Sequence, residues 1–139
     1  MVKLQLWDFS GQKKFRSLLK AYIKETKAIL LVYNITDESS FLAVNDWIKE
    51  IKKYEVNPII VLVGQKCDLE NRIISEERGR ELANELGVEF FEISAKTGYN
   101  VEELFKYLIQ QCIFSSNAGS ADLGAIWWIF LLWEKKSFF

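Results

Sequence analysis

Histidine is wholly absent from this chain, proline and methionine occur once each, and cysteine only twice. Without histidine, His-containing zinc sites and Ser-His-Asp triads are excluded. Cys67 and Cys112, with no secretory pattern ahead of them, point to free thiols in a reducing, cytoplasmic compartment. Neither sign of charge prevails: 18 basic and 19 acidic side chains leave a formal net charge of −1, and nothing marks a nucleic-acid surface. The apolar run from Leu123 to Trp133 falls well short of the roughly 20 residues that a bilayer span needs. What is present is core material. Half of the 139 residues are hydrophobic, enough for one α/β-sized domain.

That material is arranged in alternation. Leu4 and Leu6 alternate with polar residues in a short opening strand that ends at Asp8. From Phe15 to Lys24, Phe15, Leu18, Leu19, Tyr22 and Ile23 recur at helical spacing. Ala28 to Tyr33 is a continuous apolar run, as expected of a strand buried on both faces. Phe41 to Tyr54 reads as an amphipathic helix, with start signals from Asp37 to Ser40. Pro58 precedes a second apolar run, Ile59 to Val63. Ser75 to Leu86 opens on Ser-Glu-Glu and stops at Gly87, a capped helix. Val88 to Ile93 is a third run, and Val101 to Cys112 a last helix. Strands alternating with helices imply right-handed crossovers and a parallel sheet covered on both faces.

Ligands of such sheets bind beyond the carboxyl ends of the strands. Three polar clusters are expected there: Asp8, Gly11 and Gln12; Gly64-Gln65-Lys66-Cys67-Asp68; and Ser94-Ala95-Lys96. A carboxylate at a strand end can hold a metal, and a glycine beside it lets a backbone N–H approach a phosphate. Each cluster alone is a weak signal; the three together are specific.

Over roughly Val2 to Phe114 the chain resembles the Rab branch of the Ras-like small GTPases. Trp7-Asp-Phe-Ser-Gly-Gln12 is similar to the family's W-D-T-A-G-Q, and Leu31-Val-Tyr-Asn-Ile-Thr36 to L-V-Y-D-I-T. Gly64-Gln-Lys-Cys-Asp68 is similar to G-N-K-x-D, and Glu92-Ile-Ser-Ala-Lys96 to E-T-S-A-K. The resemblance implies a nucleotide-triphosphatase-like parallel sheet and a GTP-hydrolysing switch in vesicle trafficking, with GTP or GDP and Mg²⁺ as cofactors. By that resemblance Asp68 accepts from the guanine N1–H and exocyclic amine, a pairing adenine cannot offer. Lys66 lies along the base, the Ala95 N–H meets the guanine O6, and Lys96 supports the base plane beside Ser94. Asp8 reaches Mg²⁺ through water, the Gly11 N–H senses the γ-phosphate, and Gln12 orients the attacking water. Trp7 and Tyr22 match aromatics shown to effectors. Exchange factors and GTPase-activating proteins are further implied partners, and no nucleic acid is.

Three departures alter those expectations. Gln65 replaces Asn, and its extra methylene displaces an amide that contacts the base, so weaker guanine binding is expected. Phe9 and Ser10 replace Thr and Ala in a loop that moves with nucleotide state. Above all, no G-x-x-x-x-G-K-[ST] cradle for phosphates occurs in the 139 residues. The resemblance sets two strands and a helix ahead of Val2, one of those strands lying between Lys3–Trp7 and Ile29–Tyr33. The expectation is therefore an incomplete sheet with two bare inner edges. Losing several buried aliphatic side chains at about 1.5–3 kcal/mol each would exceed a typical domain's entire stability of about 5–15 kcal/mol. Neither tight GTP binding nor stable folding of these residues alone is expected. The alternative to a switch is a non-catalytic fragment acting as an interaction module.

The domain so read spans residues 1–114, a linker 115–122, and an apolar tail 123–139. The chain ends without the prenyl-acceptor cysteines usual in the family. Three readings of the tail stay open. Trp127, Trp128 and Trp133, followed by Lys135 and Lys136, suit a membrane interface, the sole route to peripheral endomembrane association. The segment could equally plug the gap in the sheet, or be translated sequence without a selected role.

Overall fold

A computed structural model describes residues 3–10, 16–116 and 126–133. Five parallel strands form one sheet: β1 (Lys3–Ser10), β2 (Thr26–Asn34), β3 (Ile59–Gln65), β4 (Glu89–Ile93) and β5 (Ile126–Trp133). Four α-helices accompany them: α1 (Arg16–Tyr22), continued by a 3-10 turn at Ile23–Glu25, α2 (Glu38–Lys52), α3 (Glu76–Leu86) and α4 (Val101–Ser115). In space the order is β1-β5-β2-β3-β4.

Local chemistry sets the boundaries. Asp37 caps α2 by accepting from the Ser39 N–H at 3.0 Å, and Ser40 Oγ accepts from the Asn34 N–H at 2.9 Å while donating to the Asp37 carbonyl at 2.7 Å. That clasp turns the chain from β2 into α2. Ser75 caps α3, and Gly87 ends it in the left-handed region at φ +68°, with the Val88 N–H returning to the Ala83 carbonyl at 3.0 Å. Asn100 opens α4 at φ +60° without capping it; its side chain instead donates to the Glu92 carbonyl at 3.1 Å and ties the helix start to the end of β4.

The period of two along the strands divides the interior into two layers. Ile29, Leu31 and Tyr33 of β2 face one way and pack with Leu62, Phe90 and the apolar sides of α1, α2 and α3. Ala28 and Leu30 face the other way, with Val61, Val63 and the α4 residues Leu104, Leu108 and Cys112.

The expected bare edges between β1 and β2 are not there. β5 lies between them, parallel to both: Leu6, Ile129 and Ala28 stand level, as do Asp8, Leu131 and Leu30. The reason is compositional. A slot open on both sides and walled by apolar residues needs a strand apolar on both faces, and Ile126–Trp133 has no polar residue in it. Ile129 joins the α4-side cluster and Leu132 the opposite one, both fully buried. Those two side chains therefore sit in the interior, away from any membrane surface. Among the described residues, no helix is long and apolar enough to cross a membrane.

Candidate functional site

The clearest constellation forms where β3 and β4 end. Gln65 and Ile93 stand level as the last residues of their strands. Beyond β3 the chain turns through Lys66, whose φ of +65° is left-handed although it is not glycine. Such backbone is costly and persists only where neighbours hold it. Here they do: the Cys67 N–H donates to the Ile93 carbonyl at 3.2 Å, and the Leu69 N–H to the Lys66 carbonyl at 3.0 Å. Asp68 is thereby lifted to the exposed rim.

The second loop meets it there. Ser94, wholly buried, donates its hydroxyl to Asp68 Oδ1 at 2.7 Å and accepts from the Thr97 N–H at 3.1 Å. The Gly98 N–H returns to the Ser94 carbonyl at 2.8 Å, closing a tight turn that leaves Ala95 and Lys96 exposed on its crest. One carboxylate oxygen is thus oriented by a fixed donor, and two loops whose key side chains are 26 positions apart are joined at one point. A carboxylate held at such a rim can accept a paired donor edge from a planar ligand, with Lys66 and the Ala95 backbone beside it.

At Gln65 the neighbouring loop is tied through backbone: the Ile35 N–H donates to the Gln65 carbonyl at 3.2 Å. Beneath the loops lies a support that the sequence reading missed. Arg72 makes a forked pair with Glu92, at 2.6 and 2.8 Å, and also donates to the Ile74 carbonyl at 3.1 Å. Glu92 is buried, and hydrogen bonding to it holds the Arg72 guanidinium even more firmly protonated than usual. Burial, and after it the Glu92 charge, push the half-buried Cys67 thiol up, so it is no ready nucleophile. Spacing gives no hint of the Arg72–Glu92 pair. Glu92 does carry a signal in standing two residues before Ser94, on the same strand face as the buried Phe90.

The β1 residues are placed differently. Asp8 is exposed and level with Leu131, Leu30 and Val61, four residues short of Gln65 along the sheet. At about 3.3 Å per residue it stands roughly 13 Å below the end of β3. The structure does not bring Asp8 and Asp68 together. Gly11 and Gln12 lie outside the described residues. Trp7 and Tyr22 do meet, stacked with centroids 5.8 Å apart and planes 19° from parallel, each half-buried against the inner cluster.

The donor set decides what these residues can hold. The β3 and β4 loops present one oriented carboxylate, Asp68, at an exposed rim. Among the described residues no group of three His, Cys, Asp or Glu side chains could hold a metal ion. The strand end beside β1 and β2 is Trp133, level with Ser10 and Val32, rather than a glycine-rich turn. A Mg²⁺–triphosphate therefore does not fit the described residues, and no step is assigned through it.

Comparison with known proteins agrees with the motif pattern. The model of the Ras family matches residues 1–114. The Ras-related protein Rab-3 of Caenorhabditis elegans is 47% identical over 111 residues, 78% of this chain and 51% of the relative. Human Ras-related protein Rab-3A is 48% identical over 110 residues, and the GTP-binding protein Rab-3D of Rattus norvegicus 46% over 110 residues; each match covers 78% of this chain and 50% of the relative. The chain spans about half the length of the curated relatives it matches.

Proposed function

This chain belongs to the Ras family, as a Rab-like small GTPase by homology, and from that premise we propose that the rim of β3 and β4 is a guanine-recognition site. The observation that carries the reading is the 2.7 Å bond from Ser94 to Asp68, which orients a carboxylate between two motif loops. Asp68 accepts from the guanine N1–H and amine, Lys66 and Lys96 flank the base plane, and the Ala95 N–H meets O6. Gln65 makes that contact weaker than Asn would. The relative named a GTP-binding protein supports the same ligand class.

For the whole domain, the reading is a nucleotide-controlled switch in vesicle trafficking at endomembranes. Its partners are exchange factors, GTPase-activating proteins and effectors. Without a phosphate cradle in these residues, tight GTP binding is not assigned to them, and their own share is base recognition. The Trp7–Tyr22 stack favours a second role as an effector-facing surface, since both rings keep an exposed part.

The test is displacement of a fluorescent guanine nucleotide from the purified chain. Guanosine and GDP should compete and adenosine and ADP should not, and Asp68→Asn should abolish that preference. Equal competition by both bases, or selectivity that survives Asp68→Asn, would sink the assignment.

A further inference from the structure

β1 has one hydrogen-bonded neighbour among the described strands, and that neighbour is β5. All eight β1 residues, Lys3 to Ser10, have a partner in Ile126 to Trp133. On its other side β5 pairs with Thr26 and with Ala28 to Val32, skipping Lys27 at an irregularity in β2. The strand that joins β1 to the rest of the sheet thus comes from outside residues 1–114, the part that matches the family.

We propose that residues 126–133 act as a replacement central strand supplied in cis, and that the slot between β1 and β2 is a receptor for one parallel strand apolar on both faces. The occupant is this chain's own tail, for three reasons. Its side chains divide correctly, with Ile129 and Leu131 toward the α4-side cluster and Leu132 toward the opposite one. A buried central strand must satisfy its backbone on both sides, and β5 has a ladder on each. Finally, the end of α4 at Ser115 and the start of β5 at Ile126 are only 11 positions apart in the same chain, so the entropy cost of closure is small.

The consequence is a hierarchy within the sheet. β2, β3 and β4 pair among themselves, whereas β1, with Trp7 and Asp8, is secured through β5. Any other strand that enters the slot must first displace 126–133.

Native-state hydrogen exchange on the full chain tests this. In the unaltered protein, the amides of 127–133 should be protected at least about 10-fold over the crest residues 95–99, as a doubly paired strand requires. Leu132→Pro removes a ladder donor from a central strand, and Leu132→Ala trims only the side chain. Leu132→Ala should raise exchange in β1 and β5 together, by about 10-fold or more, with smaller changes in β3 and β4. Leu132→Pro should raise it further, up to loss of protection throughout. A synthetic peptide covering 124–136 should restore β1 protection in Leu132→Pro and leave the unaltered protein unchanged. Rapid exchange of 127–133 beside a protected β2 overturns the proposal, as does β1 exchange that ignores both substitutions. Protection at 127–133 that rises with protein concentration overturns the in-cis form and gives the slot to the tail of a second copy.

Discussion

Tyr33 places a hydroxyl inside the protein with no hydrogen-bond partner among the described residues. Burial raises its pKa, with the Glu92 charge adding to the shift and Arg72 opposing it. The ring earns its place through packing, edge-on to Phe41 at 4.9 Å. Its Oη is also why Gly64 and Gly79 carry no side chain: a Cβ on Gly64 would come within 2.9 Å of it, and one on Gly79 would collide with both Tyr33 and Phe90. An unsatisfied buried hydroxyl costs about 1–3 kcal/mol. Tyr33→Phe should therefore leave stability unchanged or raise it by up to about 1 kcal/mol, read as the midpoint of urea unfolding. Gly79→Ala should lower the same midpoint by the equivalent of about 1–3 kcal/mol, because ring and helix must part. A destabilised Tyr33→Phe would mean that the hydroxyl has a partner. At the rim, Ser94→Ala leaves the Thr97 N–H and Asp68 Oδ1 without their shared contact. It should cost about 1–3 kcal/mol of stability, and guanine preference should fall with it in the displacement assay. Ser94 and Asp68 were legible in the sequence because each sits in a short motif directly after a strand. Arg72 and Glu92 were not: they are 20 residues apart, and side-chain pairing at that distance depends on a loop path that no local pattern encodes.

Among the elements, α2 shows how one charge couples a helix to its surroundings. Glu50 is buried at 8% exposure, and the Lys53 ammonium donates to it at 2.9 Å and the Tyr54 hydroxyl at 3.1 Å. The Lys53 bond is the main reason its carboxyl lies below the ordinary 4.5; burial opposes the shift, and Tyr54 adds to it. A depressed folded-state pKa means that the stabilisation is complete above the ordinary value and is lost as pH falls through the folded one. Stability should accordingly decline as pH drops below about 4.5, and Glu50→Gln should flatten that part of the decline. Unfolding midpoints at a series of acid pH values check this, and an identical slope in the variant would falsify it. The helices themselves were legible from capping residues and apolar spacing, with ends differing by a few residues. The central runs of β2 and β3 were legible because a strand covered on both faces must be apolar throughout. The same property left β5 as one of three open readings of the tail. A continuous apolar run declares that it is buried but carries no record of its neighbours, and parallel pairing across more than a hundred residues leaves no local trace.

At the scale of the whole molecule, one sheet separates two apolar clusters, and β5 contributes to both. Cys112 reports on one of them. It is fully buried in α4 within the cluster that holds Ile129, and burial is the main cause of its raised thiol pKa. Alkylation of Cys112 therefore requires an opening, and its rate identifies what opens. Ile129→Ala removes about 2–5 kcal/mol of packing from the Cys112 side, and Leu132→Ala a similar amount from the other. If the two clusters opened only together, both variants would accelerate Cys112 equally. Since α4 packs on β2 and β3 and shares its apolar cluster with Ile129, the fold instead favours a local opening on its own face. Ile129→Ala should accelerate Cys112 alkylation at least about 10-fold more than Leu132→Ala, while Cys67, half-buried in the rim loop, serves as the internal reference. Equal rates for the two variants would make the protein a single cooperative unit, with its strands released together.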